Sequence, residues 1–210
     1  MKGLLMKDFY MAVKYCRAYL ALTVIFAVCS VFGDNMFLIL YPILMAGVIP
    51  VNLISYDEKS KWNVYAGVFP YTRRELVSVK YIVAVIFLGL GIALIAIAQA
   101  VNMVSSGNIN WNEYFMTIGI LPTLGLFTPC VLLPTVFKYG VEKGRVVYYA
   151  VVLVICGGFG ALVALREDAD VVRFLSGLGI GFVPVLLGFG IIILFVSWKL
   201  SICFYQTREL

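Results

Sequence analysis

Three apolar runs, Met36 to Tyr56, Tyr81 to Val104 and Phe174 to Trp198, each reach the roughly 20 residues needed to cross bilayer hydrocarbon. A segment in hydrocarbon must satisfy its own backbone N–H and C=O groups, so runs of this length become α-helices. Three further runs complete the pattern: Arg17 to Phe32, Tyr114 to Phe137 and Val146 to Leu165. The expected fold is an all-α polytopic membrane protein with six transmembrane helices, forming one domain over residues 1–210. Composition agrees: the chain is 63% hydrophobic and 13% charged, whereas a soluble domain carries about a quarter charged residues.

The net charge of +5 does not imply a nucleic-acid partner, because the basic residues sit between apolar runs and form no dense basic stripe. It sets orientation instead. Basic loop segments resist translocation, and if the N-terminus is cytoplasmic, every Lys and Arg except Arg166 and Arg173 falls on one side. Both termini are then cytoplasmic, and three short external turns hold Asp34, Asn108 and Glu167-Asp168. Residues 1–16 wind as an amphipathic helix with Leu5, Phe9, Ala12, Val13 and Cys16 on one face, opposite Lys7 and Lys14. Two readings fit it: an extension of the first span that snorkels to the interface, or an elbow helix along the inner leaflet that also touches a partner.

The loop between the second and third spans is the most structured stretch outside the membrane. Ser55-x-x-Glu58 has capping-box spacing, and Trp62, Tyr65 and Phe69 then recur on one face, predicting a short helix from Asp57 to Phe69 that Pro70 ends. Thr72-x-x-Glu75 is a second capping box, which starts the third span with Arg73 and Arg74 in its first turn.

This loop resembles the small bacterial ABC-2-type permeases. Their usual run of Pro, a small or aliphatic residue, Ser/Thr, Arg, two variable residues, an aliphatic, Val and Lys-Tyr appears here as Pro70-Tyr71-Thr72-Arg73-Arg74-Glu75-Leu76-Val77-Ser78-Val79-Lys80-Tyr81, after the acidic pair Asp57-Glu58. The opening Met1-Lys2-Gly3-Leu4-Leu5-Met6-Lys7-Asp8 is also similar to that family's start. Within the family the likeness is greatest to permeases that export phenol-soluble modulins. Two features depart from it: Tyr71 replaces the commoner aliphatic, and the external turn from Arg166 to Arg173 is too short for the re-entrant helices of larger relatives.

The resemblance implies that residues 57–75 form a cytoplasmic coupling element, with Asp57, Glu58, Trp62, Tyr65, Phe69, Pro70, Arg73, Arg74 and Glu75 meeting a separate ABC ATPase subunit. That subunit would bind ATP and Mg, and this chain would hold no cofactor. The alternative reading of the same aromatics is an interfacial helix at headgroup depth. The resemblance also implies a second permease copy, in a homodimer or heterodimer, and a path lined by the second and fifth spans. Asn52, Gly157 and Gly158 are its candidate residues. The implied cargo is amphipathic: a cytolytic or antimicrobial peptide, or a lipid-like molecule, leaving through a bacterial cytoplasmic membrane.

Absences narrow the chemistry. No Gly-x-x-x-x-Gly-Lys-[Ser/Thr] loop is present, so any ATP is bound by another chain. With no histidine and no Cys-x-x-Cys pair, neither a catalytic triad nor a metal site is expected. The apolar runs contain no acid in their interiors, which argues against ion-gradient coupling. Buried Asn52, Gln99 and Asn102 each have a plain reading as hydrogen bonds between helices. Prolines in the second, fourth and sixth runs and glycines in the fifth and sixth suit kinks and close packing. Two functions from different classes remain: an exporter permease, or a membrane scaffold or receptor-like subunit that binds a partner and moves nothing.

Overall fold

The computed structural model describes residues 2–32, 36–66, 68, 71–107, 111–151, 153 and 180–207. They form α1 (Lys2–Tyr15), α2 (Arg17–Cys29), α3 (Met36–Lys59), α4 (Trp62–Ala66), α5 (Arg73–Ser106), α6 (Trp111–Tyr139) and α7 (Val183–Thr207). Residues 141–151 are also helical, and a 3-10 turn at Ile180–Phe182 leads into α7. No strand occurs among the described residues.

Four helices are long and apolar enough to cross a membrane: Leu38–Lys59, Arg73–Ser105, Tyr114–Tyr139 and Val183–Gln206. A fifth is reached only if α1 and α2, bent by 71° at Cys16, count as one broken span. The expected first span is thus a 13-residue helix that is too short alone, joined at a sharp elbow to the amphipathic segment. Most of the expected fifth span, with Gly157 and Gly158, lies outside the described residues.

Helix ends depart from the sequence reading for definable reasons. The last span was expected to stop at Trp198, before Lys199, yet α7 continues to Thr207. Ser197, Ser201 and Tyr205, one helical turn apart, are all buried, and this stripe carries the helix past the lysine. α3 runs unbroken through Ser55 to Lys59, so Ser55 and Glu58 form no capping box, which would need non-helical backbone at Ser55. The chain instead turns at Ser60 and Lys61, where Lys61 takes φ 53°, and α4 is five residues rather than the expected thirteen. The second box forms as expected: Thr72 Oγ1 accepts from Glu75 N, and Thr72 N donates to Glu75 Oε2.

α3 is the organising helix. It touches α1, α2, α4, α5 and α6, while α7 packs chiefly along α6 and then α5. One apolar core joins Val51 and Ile54 of α3 to Val77 and Ala84 of α5 and Leu133 and Val136 of α6. A second joins Leu4 and Ala12 of α1 to Ile49 and Leu53 of α3 and Val79, Val83 and Phe87 of α5. α1 therefore packs through Leu4, Asp8, Ala12 and Cys16, successive i, i+4 positions, whereas Phe9 and Val13 of the expected inner face are half exposed. An acidic residue on that buried stripe demands partners.

Candidate functional site

Those partners converge beneath α4. Lys80 Nζ of α5 donates to Asp8 Oδ2 at 2.7 Å and to Asp57 Oδ2 of α3 at 2.6 Å. Lys7 Nζ of α1 donates to Asp57 Oδ1 at 2.8 Å and lies 3.3 Å from Asp8 Oδ1. Two carboxylates and two ammoniums thus form a charge-balanced quartet joining three helices. Asp8, Asp57 and Lys80 are buried, and Lys7 is mostly so. Desolvation offsets much of the attraction in such a cluster, so its value lies in fixing geometry; removing one member is costly because it leaves a buried charge unpaired.

α4 closes over the quartet. Lys7 Nζ sits 4.3 Å from the centre of the Trp62 ring, and Trp62 packs against the core that α1 shares with α3 and α5. The ring of Trp62 is turned inward, while Tyr65, one turn on, is 61% exposed. Of the expected aromatic stripe, Tyr65 is the member presented outward; Phe69 and Pro70 lie outside the described residues. The cavity bounded by Lys7, Asp8, Asp57, Glu58, Trp62 and Lys80 holds about 30 Å³. That is room for a water molecule and for no larger ligand, so the quartet is a brace and not a substrate pocket.

The other site residues also serve as braces within the chain. Glu58 Oε2 accepts from Val141 N at 3.3 Å, capping the helical run that begins after Gly140, whose φ is +84°. Arg73 donates to the carbonyls of Tyr205 and Gln206, in the last turn of α7, where the helix dipole favours a cation. Arg74 lies over the Trp198 ring at 5.2 Å, and Trp198 Nε1 donates to Ser78 Oγ. Asn52 accepts through Oδ1 from Arg145 at 2.7 Å and is buried, so it links α3 to the helical run after α6. Asp57, Glu58, Trp62, Arg73 and Arg74 are therefore brought to one end of the bundle and tied to α1, α5, α7 and the 141–151 run.

Sequence reasoning missed Lys7, Asp8 and Lys80. The available signal was Asp8 on the i, i+4 row with Leu4 and Ala12. Its pairing with Lys80, 72 positions away, had none. Among the described residues no group of three or more His, Cys, Asp or Glu could hold a metal ion.

A bundle of membrane-length helices braced at one end by a short helical connection defines a multi-pass membrane protein. The chain matches the family described as ABC-2 family transporter protein over residues 3–206, and it belongs to that family. It is thus an ABC-2 type permease, of a family that normally works with an ABC ATPase subunit. Neither the curated proteins nor the solved structures gave a match.

Proposed function

We propose that this permease exports an amphipathic cargo through a bacterial cytoplasmic membrane, driven by ATP and Mg bound to a separate ABC ATPase. The carrying observation is α4, which follows α3 after the turn at Ser60 and Lys61. It is held from beneath by the quartet and Trp62 while Tyr65 faces outward. Seated on a charged clamp shared by α1, α3 and α5, α4 would pass a push to those helices through Trp62 and Lys7.

In this reading six spans leave both termini and α4 on the cytoplasmic side, as the distribution of basic residues favours. Two copies, or one with a related chain, frame the path. Cargo of the phenol-soluble modulin kind rests on the sequence resemblance, and apolar walls suit it because non-directional contacts do not demand one substrate. The test is co-expression and co-purification with a candidate ABC ATPase subunit, followed by ATP turnover in proteoliposomes with and without an amphipathic helical peptide. Peptide-stimulated turnover is expected. A stable complex whose turnover ignores every amphipathic peptide and lipid offered would favour a scaffold that moves nothing.

A further inference from the structure

Lys7 and Lys14 lie two turns apart on α1 and meet opposite environments. Lys7 is drawn into the quartet; Lys14 is exposed beside a second lysine, Lys59, at the end of α3. Between them Tyr15 and Tyr56 stack with ring centres 4.7 Å apart. Lys14 Nζ sits 5.5 Å from the Tyr15 ring and Lys59 Nζ 6.0 Å from the Tyr56 ring. With Tyr10 these residues line an open groove at the surface. Among the described residues no carboxylate lies within ion-pair distance of Lys14 or Lys59.

The surroundings identify what this groove takes. Met6, Phe9 and Val13 form an exposed apolar strip along the adjoining face of α1. An exposed apolar strip edged by unpaired cations and tyrosines is the pattern of a helix seated at a lipid surface. Both ammoniums lie over aromatic rings, and Tyr10, Lys14 and Lys59 line the same groove. We infer that the groove between α1 and the end of α3 binds the phosphate headgroup of an anionic phospholipid, with the acyl chains passing along Met6, Phe9 and Val13. A bound lipid there would pin the elbow helix, and through Asp8 the quartet, to the leaflet. The inference needs neither a cargo nor an ATPase.

The test uses the full chain purified in detergent, with phosphatidylglycerol titrated in and retained lipid counted by native mass spectrometry at low ionic strength. A surface lysine contributes roughly fivefold to anionic-lipid affinity, so Lys14→Gln with Lys59→Gln should weaken retention about 25-fold. Lys14→Arg with Lys59→Arg should restore it, and Lys199→Gln, an exposed lysine elsewhere, should change it less than twofold. Phosphatidylcholine should bind wild type and double variant alike. Equal losses from Lys199→Gln and the double variant would overturn the site in favour of diffuse surface charge. Displacement of the lipid by millimolar inorganic phosphate would assign the groove to a soluble phosphate. Unchanged phosphatidylglycerol retention in the Lys14→Gln with Lys59→Gln variant would overturn the site.

Discussion

The two sides of α5 near its start solve the same problem, long-range tethering of helices, with different chemistry. Toward α1 and α3 the tethers are full charges: Lys7, Asp8, Asp57 and Lys80. Toward α6 and α7, beginning at the very next residue, they are neutral. Tyr81 Oη lies 2.7 Å from both Ser197 Oγ and Ser201 Oγ, and Ser197 Oγ donates to the Cys130 carbonyl at 2.7 Å. Because Ser197 spends its proton on Cys130, Tyr81 donates to Ser197 and Ser201 donates to Tyr81. A hydroxyl chain carries no charge to leave unpaired and loses little when a link is cut. A charge quartet fixes geometry more firmly and fails more completely. The difference teaches where rigidity matters in this chain: beneath α4.

That contrast can be broken by single substitutions. The largest effect is expected from Asp57→Ala, which leaves Lys7 and Lys80 facing Asp8 alone; removal of one partner from a buried ion cluster costs about 3–5 kcal/mol. Thermal unfolding in detergent should show it, and Asp57→Ala with Lys80→Ala, which restores balance, should recover more than half. If the double variant is as unstable as the single one, charge balance is not what the quartet supplies. Gly144→Ala comes next. A Cβ there would lie 2.8 Å from the Val136 Cα, across the tight turn at Gly140, so backbone must move, at about 1–3 kcal/mol in the same assay.

Thr72→Ala removes the side chain that caps α5 and should cost about 1 kcal/mol, read as faster hydrogen exchange in the first turn of α5. Tyr81→Phe should cost least, about 0.6 kcal/mol. A loss for Tyr81→Phe as large as that for Asp57→Ala would erase the distinction between the two regions.

What the sequence made legible follows the range of the interactions involved. Hydropathy located α3, α5, α6 and α7 because burial in hydrocarbon is a property of each segment alone. The Thr72–Glu75 box was legible because both partners lie within one turn. The Ser55–Glu58 spacing was equally good, but the packing of Ile54 and the clamp on Asp57 keep α3 helical to Lys59, and Glu58 caps a helix 83 positions away. Trp62 and Tyr65 were grouped on one face by periodicity, yet the Lys7 ammonium holds the first inward and leaves the second outside. Of the site residues, local spacing therefore revealed their neighbourhood and not their direction.

The central claim, that Tyr65 on a clamped α4 meets the ATPase, is tested most directly by site-specific photo-crosslinking in the assembled complex. A benzophenone side chain placed at Tyr65 should capture the ATPase subunit, and the same group at Trp111, exposed at the opposite end of α6, should not. Capture from Trp111, or none from Tyr65 in a complex that hydrolyses ATP, would contradict the account.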